Sequence, residues 1–276
     1  MTTPVSAPPS GHADEVNCEA MADSVAFKCI VLSPHLDDAA LSIGGTIARF
    51  TAAREPALVL TIAAGSPPPD AIPSPLAAAL HRAWGVTAHG AVARRRREDE
   101  AAMAILGAEA QRLDQLDAIY RLPARYDTEA ALLGEPAAED RLEIELAGQL
   151  APILAASPRA LVLAPLAVGG HVDHRIVHRV AIDLARRGRD VGFYEDLPYA
   201  MKPSAVELRR AAIGRDLAPE TFDITATLDR KIAAILAYTS QIASLFGGSE
   251  QARSAITSYA AAVGPGAPAE RIWRLS

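Results

Sequence analysis

Short apolar runs alternate with longer helical patterns over most of this chain, and this alternation narrows its fold more than any other feature. The apolar runs predict five strands, at Phe27–Ser33, Ala57–Ala63, Gln111–Leu116, Ala160–Pro165 and Val191–Glu195. The other patterns predict five helices, at Ala39–Ala53, Arg94–Leu106, Ala138–Ala155, Asp173–Arg187 and Asp229–Leu245. Strands that alternate with helices build βαβ units, so the sequence predicts an α/β fold with a mostly parallel sheet covered on both faces.

The length and composition fit one large domain. The chain has 276 residues, and half of them are apolar, which supplies a sizeable core. Residues 1–24 are rich in proline, serine, alanine and acidic residues, so we interpret them as a flexible tail before a single domain over residues 25–276. The proline-rich stretch at residues 65–90 is too long for an ordinary connection and predicts a loop over the site that contains a short helix.

Charge and cysteine content exclude several classes of protein. The net charge of −6 argues against a general nucleic-acid binder. No run of 18 apolar residues predicts a transmembrane helix, and the N-terminus lacks a secretory signal pattern, so we expect a cytoplasmic protein. Two cysteines, Cys18 and Cys29, form neither a disulfide framework nor a zinc-thiolate motif. Any bound metal must therefore be held by histidine and carboxylate side chains.

The first polar cluster is the segment SPHLDD at residues 33–38, directly after the first predicted strand. His35 and Asp38 are three residues apart, so a turn at the strand end can direct both at one Zn²⁺ ion. Asp37 would then lie beside the metal and could take a proton from water that the metal activates. The alternative is that Asp37 or Asp38 only caps the following helix.

A second cluster, GGHVDH at residues 169–174, follows the fourth predicted strand. His171 and His174 are one helical turn apart, and His174 would complete a ligand set with the first cluster. His171 could polarise a carbonyl or protonate a leaving amine, and Asp173 could fix the tautomer of a neighbouring imidazole. The alternative is a polar helix start with two solvated histidines. We interpret His178 as a packing or surface residue, because no zincin pattern accompanies it.

Together the two clusters resemble the PIG-L/LmbE-like superfamily of zinc-dependent N-deacetylases, which act on N-acetylglucosaminyl compounds. The resemblance rests on the segments PHLDD, LSIGGTIA and HVDH, and on the spacing of Arg95-Arg96-Arg97-Glu98. It implies a Rossmann-like three-layer α/β/α sandwich. It also implies Zn²⁺, or another divalent metal such as Fe²⁺, held by His35, Asp38 and His174. Asp37 is then the general base, and His171 stabilises the oxyanion or protonates the departing amine.

The same resemblance implies substrate contacts from Arg95, and from Asp117 after the third strand; the other arginines of residues 94–97 are expected on a solvated helix face. Two departures from the family pattern stand out. Ala39 follows the aspartate pair where relatives often carry glutamate, which removes a carboxylate near the metal. Gly169 stands where some relatives place tyrosine, so Tyr194 or Tyr199 is the candidate replacement.

These observations predict a metal-dependent amidase that removes an acetyl group from an N-acetylglucosamine-type sugar or its conjugate. Its partner would be this small-molecule substrate, and the oligomeric state stays open. One alternative is an amidase that cleaves a larger amide of an amino-sugar conjugate. Another is a non-catalytic sugar- or nucleotide-binding module whose phosphate loop would be Ile43–Thr46, although the glycine spacing there is unlike a dinucleotide fingerprint.

Overall fold

The computed structural model describes residues 26–68, 70–84 and 88–276. The predicted tail at residues 1–24 lies outside the described residues, and the single domain over residues 25–276 stays a prediction. Within the described parts of the chain, no helix is both long and apolar enough to span a bilayer.

Seven strands and eleven helices make up the described structure. The strands are β1 (Cys29–Ser33), β2 (Ala57–Thr61), β3 (Glu109–Arg112), β4 (Leu161–Pro165), β5 (Val191–Tyr194), β6 (Leu217–Asp223) and β7 (Ala269–Leu275). The helices are α1 (Asp38–Ala52), α2 (Pro75–Trp84), α3 (Ala88–Leu106), α4 (Ala118–Arg121), α5 (Glu129–Leu132), α6 (Leu142–Ala156), α7 (Val172–Arg186), α8 (Ala205–Ile213), α9 (Leu228–Leu236), α10 (Thr239–Phe246) and α11 (Ser249–Val263).

All seven strands form one sheet in the order β3-β2-β1-β4-β5-β7-β6. The strands from β3 to β5 are parallel, whereas β7 pairs antiparallel with both β5 and β6. Strand β1 lies at the centre of the parallel part, where Ile30 is in register with Leu58 of β2 and Val162 of β4. The predicted mostly parallel α/β sheet is confirmed.

Helices cover both faces of this sheet. Cys29 and Val31 of β1 belong to a core cluster on the face of α1 and α3, whereas Ile30 and Leu32 belong to a larger cluster that includes α6 and α7. All four side chains are fully buried. A strand buried on both faces needs a continuous apolar run, which is why β1 and β4 were readable from the sequence. The predicted three-layer sandwich is confirmed.

Several predicted boundaries were wrong. Strand β3 begins at Glu109, earlier than predicted, because it is a partly exposed edge strand whose polar residues pair through the backbone. The helix predicted over Asp229–Leu245 is two helices, α9 and α10, that meet at Tyr238, whose hydroxyl donates to buried Asp99. Strands β6 and β7 were not predicted. The short helix expected in the proline-rich stretch is present as α2.

Candidate metal centre and active site

The two polar clusters lie at the carboxyl ends of adjacent strands. His35 lies just after the end of β1. His171 is the N-cap of α7, the helix that follows β4, and His174 lies in the first turn of that helix. Because β1 and β4 are hydrogen-bonded neighbours, their polar ends meet at one edge of the sheet. A cavity of about 190 Å³ opens there, and both clusters line it.

Three buried side chains form a candidate metal site: His35, Asp38 and His174. Their ligand atoms all lie within 4.8 Å of one another. Asp38 Oδ2 is 3.2 Å from His35 Nδ1 and 3.2 Å from His174 Nε2. Two imidazoles and one carboxylate are the donor set of a catalytic zinc site with an open position, so these residues fit a divalent ion of that type. The grouping joins residues almost 140 positions apart in the chain.

A carboxylate lies behind each of the two imidazoles. His35 Nε2 is 3.1 Å from Asp173 Oδ2, and His174 Nδ1 is 2.7 Å from Asp196 Oδ1. Such carboxylates fix the tautomer and ring orientation of metal-binding histidines. This role was expected for Asp173 from the sequence, whereas Asp196 was not among the predicted site residues. Asp196 follows the end of β5, so the strand-end signal used for the other clusters could have found it.

The same contacts set the charges of the site. Burial opposes the charged forms, but the bonds to Asp173 and Asp38 raise the pKa of His35 well above its usual range. Against the same opposing burial, Asp38 and Asp196 raise the pKa of His174 to about 10. Burial also opposes ionisation of Asp38, yet the two imidazoles hold its pKa well below the usual range. The carboxylates therefore concentrate negative charge where a cation is expected.

His171 differs from the other two imidazoles. Its Nδ1 accepts a hydrogen bond from the backbone N–H of Asp173 at 3.2 Å, which caps α7. Burial, with the nearby imidazole of His35, lowers the pKa of His171 to about 4. His171 is therefore neutral near pH 7, and its proton is on Nε2 because Nδ1 is an acceptor. The alternative of two solvated histidines at a polar helix start is wrong, since His171 and His174 are both buried.

Asp37 and Arg95 form an ion pair at the cavity wall. Arg95 Nη2 lies 2.9 Å from Asp37 Oδ1, and both side chains are largely buried. Arg95 Nε is buried and has no hydrogen-bond partner among the described residues. Neither aspartate caps α1 as the alternative proposed: Asp37 makes no side-chain cap bond, and Asp38 Oδ2 accepts from the backbone N–H of His35. Both carboxylates thus face the cavity.

The loop after β3 brings Asp117 to the site. Asp117 lines the cavity, caps α4 through Ile119 N–H, and places Oδ2 3.6 Å from His35 Nε2. Arg121 holds this loop in place, because it donates to the carbonyl of Leu116 and to Asp173 Oδ1. Asp173 also accepts from the N–H of Ala118. Arg121 was not predicted from the sequence, because it belongs to no recognisable motif.

The space beside Gly169 shows why this position, where some relatives carry tyrosine, holds no side chain here. It has a φ of +89°, and a Cβ there would lie 2.5 Å from Cγ of Tyr199. Tyr199 already occupies this space and lines the cavity. Tyr194 instead lies in the core, where its hydroxyl donates to the Leu32 carbonyl. Of the two candidate replacements, only Tyr199 reaches the cavity.

The arginine run and the glycine pair behave differently from expectation. Arg96 is anchored to the carbonyl of Ala64 and is not simply solvated, so that interpretation was wrong for this residue. Gly45 N–H and Thr46 N–H both donate to the buried Glu270 carboxylate, at 2.8 Å and 2.6 Å. An internal carboxylate thus occupies the proposed phosphate loop, which argues against the nucleotide-binding alternative.

Comparisons with known proteins identify relatives. Residues 30–185 match the PIG-L family model, described as GlcNAc-PI de-N-acetylase. The chain is 34% identical over 219 residues to a 2'-N-acetylparomamine deacetylase from Streptomyces fradiae, with 78% of this chain and 73% of the relative covered. The crystal structure of the A40926 pseudoaglycone deacetylase is 28% identical, with a TM-score of 0.71 and 91% and 97% of the two chains covered. The zinc-inhibited form of a teicoplanin deacetylase is 29% identical, with a TM-score of 0.71 and coverage of 89% and 96%.

Proposed function

Because the chain belongs to the PIG-L family of de-N-acetylases, we propose that it removes the acetyl group from an N-acetylglucosamine-type amino sugar or its conjugate in a metal-dependent hydrolysis. The observation that carries the proposal is the meeting of His35, Asp38 and His174 at one cavity that Asp37 and His171 also line. The reaction consumes water, breaks the amide C–N bond, and yields acetate and a free amine.

His35, Asp38 and His174 are the proposed metal ligands. When bound, the ion would supply Lewis-acid polarisation of the acetamide carbonyl and would lower the pKa of water at the site. Asp173 and Asp196 hold the two imidazoles in ligating orientation through the hydrogen bonds described above. The carboxylate of Asp38 stays ionised because both imidazoles hold its pKa well below the usual range.

Asp37 is the proposed group that transfers protons in the reaction. Its carboxylate accepts a proton from the attacking water and then delivers a proton to the departing nitrogen, so no net proton is gained or lost at the enzyme. Arg95 donates to Asp37 Oδ1, which leaves the other carboxylate oxygen for this exchange. We place Arg95 and Asp117 against the sugar, since both line the cavity beside Asp37.

His171 is the proposed oxyanion donor. As a neutral imidazole with its proton on Nε2, it donates a hydrogen bond to the oxygen that gains negative charge. An imidazole whose pKa is about 4 is a poor proton reservoir near pH 7, which favours this role over protonation of the amine. Tyr199 adds a second donor at the cavity wall, in the place that Gly169 leaves open.

Two variants test the assignment of roles. We expect Asp37→Ala to keep bound metal but to lose turnover by about 10²-fold to 10⁴-fold, since a general base is removed. We expect His35→Ala to lose both metal and turnover. Metal content is measured by atomic emission, and amine release is assayed on a panel of N-acetylglucosamine derivatives. Equal metal content and near-normal turnover in both variants would refute the assignments.

Zinc is the proposed metal, with another divalent ion such as Fe²⁺ as the alternative. The His₂Asp donor set suits both ions. Reconstitution of the apoprotein with one equivalent and then an excess of each metal separates them. Maximal turnover at one zinc per chain supports zinc. Higher turnover with Fe²⁺ at the same occupancy assigns the site to iron.

A further inference from the structure

Arg209 on α8 is a partly buried charge without a carboxylate partner among the residues that the structure describes. Its Nε donates to the Leu166 carbonyl at 2.8 Å, and its two Nη groups have no hydrogen bond or ion pair to any of the described residues. Burial and the nearby charge of Arg175 lower the pKa of Arg209, whereas the carboxylates of Asp196 and Glu135, which lie beyond ion-pair distance, oppose this shift. The two Nη groups are therefore available to bind an anion directly.

The Nη groups of Arg209 belong to an open depression between α7 and α8, which we name the α7–α8 groove. It has a volume of about 570 Å³, and its lining includes Arg175, His178, Arg179, Arg209 and Arg215. This volume is in the range of small-molecule sites. The acidic groups of the groove are already engaged: Glu135 pairs with Arg175 and Arg179, Glu143 pairs with Arg179, and Asp183 pairs with Arg186.

His178 supplies a hydrogen-bond acceptor at the same place. It is buried, and its Nδ1 bonds to the Pro165 carbonyl at 2.9 Å, so the proton is on Nδ1. Burial, followed by the charge of Arg209, lowers the pKa of His178 to about 3. Its Nε2 has no hydrogen-bond partner among the described residues. A neutral imidazole presents an acceptor here, beside guanidinium donors.

We propose that the α7–α8 groove binds a phosphate group that carries a P–OH hydroxyl. The planar fork of Arg209 takes two phosphate oxygens, a geometry that guanidinium groups favour. The hydroxyl donates to His178 Nε2. Sulfate has the same tetrahedral shape and the same charge as the hydrogen phosphate dianion, but it carries no hydroxyl near pH 7. It therefore leaves His178 Nε2 without a hydrogen-bond donor. The site thereby distinguishes phosphate from other oxyanions.

This site is coupled to the second catalytic cluster through the backbone. Arg209 holds the Leu166 carbonyl, and Arg175 Nε donates to the Gly170 carbonyl at 2.9 Å. Between these anchors, Ala167, Gly169 and Gly170 all have positive φ angles of 64°, 89° and 81°. A phosphate bound by Arg209 would therefore contact a side chain that also anchors the start of the loop leading to His171.

Calorimetric titration at constant ionic strength near pH 8 tests the proposal, with sulfate and inorganic phosphate as probes, because phosphate is then mainly the dianion that keeps one hydroxyl. We expect saturable phosphate binding, and sulfate binding weaker by roughly threefold to tenfold, as one neutral hydrogen bond predicts. Arg209→Gln weakens phosphate binding at least about tenfold, since a charge-assisted pair is lost. His178→Phe removes the preference for phosphate over sulfate. Glucose 6-phosphate, whose ester phosphate keeps no hydroxyl at this pH, should bind no better than sulfate, and tighter binding than free phosphate would contradict the role of the hydroxyl.

Arg253→Gln is the matched control, because Arg253 is an exposed arginine on α11 outside the groove. It leaves both affinities unchanged. If Arg209→Gln fails to fold, Arg215→Gln at the exposed rim replaces it, with an expected loss of about threefold. The proposal is overturned if phosphate gives no saturable heat, if sulfate binds as well as phosphate to the unaltered protein, or if Arg253→Gln weakens binding as much as the groove variants do.

Discussion

Asp196 is the most informative residue to change, because it contacts a proposed metal ligand without facing the substrate. Its Oδ1 accepts from His174 Nδ1 at 2.7 Å, and its Oδ2 accepts from the Val168 N–H at 2.8 Å. In Asp196→Asn the side chain keeps its shape, but an NH₂ group replaces one of the two carboxylate oxygens. Because both oxygens accept from N–H groups, this NH₂ group faces a donor. The variant therefore loses the charge and at least one hydrogen bond, with almost no change in volume.

The expected size of the effect follows from these contacts. A hydrogen bond to a charged group contributes about 1.5–3 kcal/mol, which is about a tenfold to hundredfold change in an equilibrium constant. Loss of a carboxylate behind a metal-binding histidine weakens metal affinity by a similar factor. We expect the Zn²⁺ affinity of Asp196→Asn to fall by about tenfold to hundredfold. At saturating metal, turnover should recover most of its original value.

Competition with a chromogenic chelator measures the Zn²⁺ dissociation constant directly. Glu195→Gln is the matched control, because Glu195 is the adjacent buried acid but contacts Tyr259, Arg271 and Trp273 instead of a histidine. It should lower stability and leave metal affinity unchanged. If Asp196→Asn binds Zn²⁺ as tightly as the unaltered chain, or if both variants lose affinity equally, the proposed role of Asp196 is wrong.

Three further changes test other contacts. Arg121→Gln leaves Asp173 buried without its arginine counter-charge and should lower the free energy of unfolding in urea by about 3–5 kcal/mol. Arg125→Gln removes an exposed ion pair and should lower it by less than about 1 kcal/mol. Equal losses in the two variants would contradict this. Burial lowers the pKa of His178 to about 3, so below about pH 6.5 the unfolded chain binds a proton at this imidazole that the folded chain does not. The free energy of unfolding relative to His178→Leu should therefore fall by roughly 2–3 kcal/mol from pH 7 to pH 4.5. A difference between the two proteins that stays constant with pH would contradict this. Tyr199→Phe should lower kcat by about 100-fold at unchanged metal content, and an unchanged kcat would exclude it as a donor.

The sequence predicted the strands most accurately where burial on both faces determines the residue pattern. Strands β1 and β4 are buried on both faces, so they need continuous apolar runs that stand out from their surroundings. Strand β3 lies at a partly exposed edge, and its residues Glu109 to Arg112 carry no such run. Strands β6 and β7 pair antiparallel at the other edge, and β6 is mostly exposed. Their pairing depends on distant backbone geometry, which periodicity along one segment does not encode.

The same distinction applies to the candidate site. Residues in the two motifs were found because several reactive side chains follow a strand within a few positions. Arg121 and Asp196 are single residues whose importance arises from contacts with Asp173 and His174, 52 and 22 positions away. The break at Tyr238 was hidden for a similar reason, since the apolar pattern continues across it. Tertiary hydrogen bonds decide these features. The sequence carries no local signal for Arg121 or for the break at Tyr238, and for Asp196 it offers only the position after the end of β5.

The position of the site follows from the order of the strands. From β1 the chain proceeds outward to β2 and β3, and it then returns to β4 on the other side of β1 before continuing to β5. The loops after β1 and β4 therefore diverge to opposite faces and leave a crevice between them, the usual ligand position in an open α/β sheet. His35 and His174 enter this crevice from its two central strands. Asp117 and Asp196 reach it from the loops after the outer strands β3 and β5 and sit against the same imidazoles. A chain that kept both motifs but inserted a strand between β1 and β4 would separate its imidazoles by about one further strand spacing of ~4.8 Å and lose the shared ligand set.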